Sequence, residues 1–178
     1  MIAPQSMLQF IATRDLKLMR KVNKWPAPRW VRHLAIAATR AGDGWLWYLV
    51  GLSVLLWGGP ERLAAVAAAG SAALVGIGMF KSIKKLSGRK RPCEIEPHCW
   101  ATLLPPDQFS FPSGHTITAF AVAIVLGEFY PALLPALLLC ALLIATSRIL
   151  LGMHFLSDVV AGALVGTGLA LTSYSFFT

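Results

Sequence analysis

Residues 129–178 read FYPALLPALLLCALLIATSRILLGMHFLSDVVAGALVGTGLALTSYSFFT. Phe129 to Ser147 and Val159 to Thr178 carry no charged side chain, and each is close to the ~20 apolar residues that cross a hydrocarbon layer as a helix. Between them, Arg148, His154 and Asp158 are crowded into a short hinge. A segment in lipid has to satisfy its own backbone hydrogen bonds, so two such stretches in succession predict two helices joined by a polar connection.

Working outward, three more apolar stretches precede this pair: Trp45 to Pro60, Leu63 to Phe80 and Thr116 to Gly127. The first is short, and the third reaches a full span only if it begins near Ser113. The 178-residue chain is 56% hydrophobic and 13% charged, with a mean hydropathy of +0.64. Consecutive helices with almost no polar face leave nothing to show water, which argues against a soluble domain. The expected fold is all-α: a polytopic membrane helix bundle of about five to six membrane-embedded helices plus an amino-terminal amphipathic helix. Residues 1–43 are expected to form a basic interfacial region and residues 44–178 the membrane-embedded part. Within the latter, the loop 84–112 holds Pro92, Pro97, Pro105, Pro106 and Pro112, which exclude regular helix over much of it.

The net charge of +8 is not spread evenly. Of 16 Lys and Arg, eight lie between Arg14 and Arg40 and six between Lys81 and Arg91. Charge confined to the water-facing ends of apolar segments points to membrane lipids rather than nucleic acid as the partner. From Ser6 to Lys24, apolar residues alternate with Arg14, Lys17, Arg20, Lys21 and Lys24, so a helix here carries a basic edge beside an apolar one. Such a helix lies in the membrane interface or packs on the protein. Trp25-Pro26-Ala27-Pro28 breaks it, Ala41-Gly42-Asp43-Gly44 breaks the next segment, and Trp30 to Ala41 between them is the sixth membrane element if it dips into the bilayer. No cleaved signal peptide is expected, because no uninterrupted apolar core follows an early basic segment.

Ionisable residues in the apolar half each need a reason. After Pro112 they are His115, Glu128, Arg148, His154 and Asp158. His154 and Asp158, four apart on a helix, share a face, so the carboxylate can take one imidazole N–H and leave the other nitrogen free as a nucleophile or base. Taken alone, the pair fits equally a helix-capping aspartate beside an incidental histidine. Lys84, Arg91 and Arg148 suit phosphate oxygens, and Ser113-Gly114 opens a helix whose N–H groups would add to an anion cradle. Lys81, Lys85, Arg89 and Lys90 are assigned to anionic lipid headgroups.

Lys84 with six residues to Arg91-Pro92, then Pro112-Ser113-Gly114-His115, then Ser147-Arg148 with five residues to His154 and three to Asp158, resembles the three-part signature of the type 2 phosphatidic acid phosphatase superfamily. Eleven specified residues occur in order, with the spacing inside each part intact. The resemblance covers roughly Lys84 to Asp158 with its flanking helices. It implies an integral-membrane lipid phosphatase. His154 would attack phosphorus and form a phosphohistidine, Asp158 would orient it, and His115 would protonate the departing oxygen and then activate water. Lys84, Arg91, Ser113, Gly114 and Arg148 would hold the phosphate oxygens. Lipid phosphotransfer through the same pocket and a non-catalytic membrane protein that kept the motif are the alternatives.

No cofactor is expected. A metal site at His115 and His154 is the competing account, but one nearby carboxylate and three cationic side chains suit a divalent ion poorly. The partners expected are a lipid phosphate substrate and membrane lipids, with no nucleic acid. Gly162 and Gly166 are read as packing within one chain, a monomer. Cys93 and Cys99 bracket a short piece of the polar loop and would close a small disulfide in an oxidising compartment; in a reducing one they stay unpaired thiols. Sidedness is contradictory: the basic amino-terminal region favours a cytoplasmic site, whereas resemblance to bacterial lipid phosphatases implies the outer, periplasmic face of the inner membrane, which the cysteine pair also suits. The outer face is the expectation. Phosphatidic acid, phosphatidylglycerol phosphate, undecaprenyl diphosphate and the lipid A phosphate all fit the motif.

Overall fold

The computed structural model describes residues 6–96 and 107–178, and among these every regular element is helical. Helix α1 spans Met7–Asn23 and starts at a capping box. The Ser6 hydroxyl accepts from the Gln9 N–H, and the Gln9 side chain accepts from the Ser6 N–H, satisfying two groups that a helix start leaves orphaned. Pro26 and Pro28 separate it from α2, Arg29–Ala41. Gly44, at a φ of 121°, turns the chain into α3, Trp45–Trp57. Helix α4, Arg62–Ser87, ends on Gly88 in the left-handed region, a glycine C-cap. A single turn, α5 (Pro92–Ile95), follows, then α6 (Gly114–Phe129), a 3-10 turn at Pro131–Leu133, α7 (Leu134–Leu150) and α8 (Leu156–Phe177).

Helix α6 is the axis of the bundle, packed on α4, α7 and α8 at once. Its apolar residues point in every direction and are buried: Ile117, Ala119, Ala121, Ala123 and Val125 are fully covered. The alanine run of α4 supplies Ala65, Ala68 and Ala72 to the same core, because small side chains let the helices approach. Closest of all is α8. A Cβ added at Gly162 would stand 2.8 Å from the Ser113 carbonyl oxygen, and one at Gly166 would stand 2.5 Å from that of Ile117. The pair therefore packs within the chain, as the sequence suggests.

Three helical segments, Arg62–Ile95, Pro131–Leu150 and Leu156–Phe177, are long and apolar enough to cross a membrane. They present Leu74, Leu139, Leu142, Leu164 and Leu171 outward. The other two apolar helices are shorter, α3 with 13 residues and α6 with 16; α6 is enclosed by its neighbours and need not match the lipid thickness by itself. Helix α2 packs on α7, with Ala35 and Ile36 against Leu151 and Met153 just beyond its end. Both amino-terminal helices thus meet the bundle at the end where the α7–α8 connection lies.

The helix contact gives a controlled comparison. Gly166→Ala should lower the midpoint of thermal unfolding in detergent, at a cost of about 1–3 kcal/mol for overpacking. Gly168→Ala, where an added Cβ meets nothing within 4 Å, should leave the midpoint unchanged or raise it slightly. Equal effects at both positions would contradict the α6–α8 backbone contact.

Candidate functional site

Four pieces of chain converge at this end: the last turns of α4, the start of α6, the end of α7 and the connection 151–155. With residues Asp107–Phe109 they line a cavity of about 540 Å³ whose walls include Phe80, Lys84, Arg91, His115, Arg148 and His154. Each side chain is delivered by a local rule. Lys84 lies on the buried face of α4. Arg91 immediately precedes Pro92 and is held extended at the start of α5. Gly114 opens α6 so close to Phe80 that a Cβ there would lie 2.9 Å from its ring. The connection from α7 turns tightly enough for the N–H groups of Met153 and His154 both to donate to the Arg148 carbonyl.

Arg91 is fully buried, its guanidinium tied on three sides. Nε donates to the Asp107 carbonyl at 2.9 Å, Nη1 to that of Met153 at 2.8 Å, and Nη2 to Asp107 Oδ1 at 2.7 Å. Asp107 Oδ2 accepts from Lys84 Nζ at 2.6 Å, so one carboxylate bridges the two cations. Burial pushes the Asp107 carboxyl up, but the hydrogen bonds from Lys84 and Arg91 outweigh it and hold the group below its ordinary range. Arg148, also buried, donates through Nη1 to the Thr39 hydroxyl of α2. Its Nε and Nη2 have no hydrogen-bond partner among the described residues. Two buried guanidinium donors beside a cavity are costly unless an anion meets them.

His154 stands next to this cluster. Its Nε2 lies 3.4 Å from Arg91 Nη1. Because an arginine can only donate, Nε2 carries the lone pair and the ring proton sits on Nδ1. Nδ1 faces Asp158 Oδ2 at 3.5 Å and makes no hydrogen bond among the described residues. Burial first, and then the charges of Arg148, Arg91 and Lys84, hold the imidazole well below its ordinary pKa, so it stays neutral. Asp158 Oδ2 also accepts from the Phe155 N–H at 2.8 Å. His115, on the first turn of α6, places Nε2 2.7 Å from Asp43 Oδ1.

Of the residues singled out from sequence, Lys84, Arg91, Gly114, His115, Arg148 and His154 line one cavity, and Asp158 backs His154. Ser113 does not line it: it is buried at the α6–α8 contact, its hydroxyl accepts from Thr116 Oγ1 and its N–H donates to the Asp158 carbonyl. Arg89 is a correction. Instead of reaching lipid headgroups, it donates to Asp158 Oδ1 and to Asp15 Oδ2, at 2.6 Å each. Lys81, Lys85 and Lys90 are exposed, and Lys81 and Lys85 stand at the wall of the cavity. The proposed Cys93–Cys99 bond involves Cys99, which lies outside the described residues. Asp15, Asp43, Asp107 and Thr39 were not found from sequence; polar residues in polar segments give no signal there. Among the described residues, no group of three or more His, Cys, Asp or Glu is arranged to hold a metal.

A model of the PAP2 superfamily matches residues 62–178. The decaprenylphosphoryl-5-phosphoribose phosphatase of Mycobacterium tuberculosis is 36% identical over 107 residues, 60% of this chain and 58% of that protein. The chain thus spans less than two thirds of that relative's length. The lipid A 1-phosphatase of Rhizobium johnstonii is 28% identical over 174 residues, covering 87% of this chain and 70% of that one. Among solved structures, Aquifex aeolicus LpxE superposes with a TM-score of 0.77 at 28% identity, over 90% of this chain and 94% of that one.

The Asp107 carboxylate bridges Lys84 and Arg91, and an anion binding there would compete with it for the same donors. Asp107→Ala removes that competitor, while Arg91 keeps its bonds to two main-chain carbonyls. Binding of inorganic phosphate, measured by calorimetry in detergent, should tighten by roughly three- to tenfold, the scale of one part-exposed charge-assisted contact. Weaker binding would mean that Asp107 supports the cradle rather than competing for it.

Proposed function

The chain belongs to the PAP2 superfamily, and from that premise we propose that it is an integral-membrane lipid phosphatase that removes a terminal phosphate through a phosphohistidine on His154. One observation carries the reading: a neutral His154 with its Nε2 lone pair facing Arg91 shares a cavity with Lys84, His115 and an Arg148 that has two unspent donors among the described residues.

The Nε2 lone pair attacks phosphorus in line, forming a P–N bond as the P–O bond to the lipid breaks. Charge developing on the equatorial oxygens falls on Lys84, Arg91 and Arg148, cations already fixed before the substrate arrives. Asp158 compensates the positive charge that develops on the His154 ring. The departing oxygen takes the Nδ1 proton of a His115 that enters the step as an imidazolium, protonated as the phosphate anion arrives, with its Nε2–H held by Asp43. His115 then accepts a proton from water as that water attacks the phosphohistidine, and the P–N bond breaks to release phosphate. The chain's own cations meet the phosphate charge at every step.

The substrate is a phosphate monoester or diphosphate whose apolar part lies among the helices. The names of the relatives, a phosphatase of a polyprenyl-linked phosphoribose and one of lipid A, both put the scissile phosphate on a lipid headgroup. We place the protein in the bacterial inner membrane with the cavity on the outer face. The loop's cations serve the phosphate and drop out of the positive-inside count; those of α1 lie at the same end and oppose this placement.

Phosphate release by the purified protein should be measured over phosphatidic acid, phosphatidylglycerol phosphate, undecaprenyl diphosphate and lipid A. His154→Ala should abolish release from every lipid that the wild type accepts, and Asp43→Asn should lower kcat by roughly ten- to a hundredfold, the usual cost of losing a histidine's orienting carboxylate. Turnover should survive EDTA and be inhibited by vanadate. Full activity in His154→Ala would end the assignment. For sidedness, a cysteine introduced at exposed Lys24 should react with a membrane-impermeant thiol reagent in intact spheroplasts; protection there, relieved by lysis, would put the site in the cytoplasm.

A further inference from the structure

Behind Asp158 runs a chain of contacts that leaves the PAP2-matched region. Asp158 is fully buried, with its side chain 0% exposed, and a buried carboxylate needs a counter-charge. Arg89 supplies it. Nη1 donates to Asp158 Oδ1 at 2.6 Å and to the Ser157 hydroxyl at 2.7 Å, and the guanidinium stacks 4.3 Å above the Phe155 ring. The other arm of the fork, Nη2, donates to Asp15 Oδ2 at 2.6 Å. Asp15 is itself buried on α1, and its two oxygens also take the Ser157 N–H at 3.1 Å and the Ser157 hydroxyl at 2.5 Å. One carboxylate from α1 thus grips both the guanidinium and the first turn of α8.

We propose that Arg89 and Asp15 are positioning residues for the reaction: Asp15 fixes the Arg89 fork, and Arg89 fixes the Asp158 carboxylate that orients His154. The geometry requires a planar fork. Two carboxylates claim opposite arms of one guanidinium, and a lysine can serve only one of them well. With Arg89 clamped at both arms and seated on Phe155, Asp158 has one orientation that keeps Oδ1 on Arg89 and Oδ2 on the Phe155 N–H, and in that orientation Oδ2 faces His154 Nδ1. Loss of Asp15 frees the fork; loss of Arg89 leaves Asp158 buried with no opposite charge in contact. Helix α1, which the PAP2 match at residues 62–178 does not include, becomes part of the site.

This inference rests on the phosphatase reading, and the experiment separates the two. With a lipid that the wild type hydrolyses, Arg89→Gln should lower kcat by roughly ten- to a hundredfold with KM within about threefold, as for loss of an outer partner of a functional group. Arg89→Lys should recover little of it, and Asp15→Asn should lower kcat roughly three- to tenfold. In an Asp158→Asn background, Arg89→Gln should cost less than about a further twofold, because its effect passes through Asp158. A kcat for Arg89→Gln within about twofold of wild type, or an undiminished effect in the Asp158→Asn background, overturns the proposal. If Arg89→Gln does not fold, Asp15→Asn decides alone, and an unaltered kcat there overturns it. If the wild type hydrolyses none of the lipids, the phosphatase reading fails instead. The strut is then judged by imidazole 15N shifts of His154: a single Nδ1–H tautomer in wild type that becomes mixed in Asp15→Asn supports it, and an unchanged spectrum rejects it.

Discussion

Everything at the active end of this protein depends on the convergence of three cations where an apolar bundle meets water. Lys84, Arg91 and Arg148 are each buried, and like charges at such depth repel more strongly than they would in bulk water. The fold meets the cost locally. Arg91 spends two of its donors on main-chain carbonyls, Asp107 bridges it to Lys84, and Arg148 takes the Thr39 hydroxyl. Among the described residues the compensation stops short of complete, since two Arg148 nitrogens are left over. Three cations against the one bridging carboxylate leave the cluster with a net positive charge, and burial first, then that charge, keeps the neighbouring His154 unprotonated.

The rigidity this demands comes from the helix packing. Lys84, Arg91 and Arg148 come from α4, the loop beyond it and α7, while the two histidines come from α6 and the α7–α8 connection, so their spacing is only as fixed as the bundle. Helix α6 makes it so by packing against all three neighbours, with α8 seated on its backbone at Gly162 and Gly166. The Ser113 N–H bond to the Asp158 carbonyl pins the start of α6 to the start of α8. Ser113 thereby serves the site from behind, through backbone geometry.

Much of this was legible in the sequence because hydrophobic length and fixed spacing are local properties. The apolar stretches located every bundle helix, and the motif residues Lys84, Arg91, His115, Arg148 and His154 do share a cavity. Errors arose where a helix outruns its apolar part or where a side chain's direction is set from elsewhere. The expected stretch Leu63 to Phe80 stops before the polar last turns of α4, which run to Ser87 and carry Lys84. Arg89 looked like one more cation on a membrane surface, since nothing within its own segment says that Asp15, 74 positions away, will turn it inward. Asp43 likewise meets His115 across 72 positions. Such pairings belong to tertiary structure and leave no periodicity to read.

These long-range partners share one origin. Asp15, Thr39 and Asp43 all precede residue 62, where the PAP2 match begins, and each contacts a different member of the site: Asp15 reaches Asp158 through Arg89, Asp43 meets His115, and Thr39 meets Arg148. The matched region holds the groups that line the cavity, and the amino-terminal helices hold groups one contact further out. That division has a physical logic. Ligands of a phosphate must meet a fixed tetrahedral shape and tolerate little change, whereas an outer partner need only present a carboxylate or hydroxyl at the right distance, which many local sequences can do. On the basic amphipathic helix α1, one buried aspartate on the inner face is such a partner: it links the helix to Arg89 and, through Arg89, to the Asp158 that backs His154.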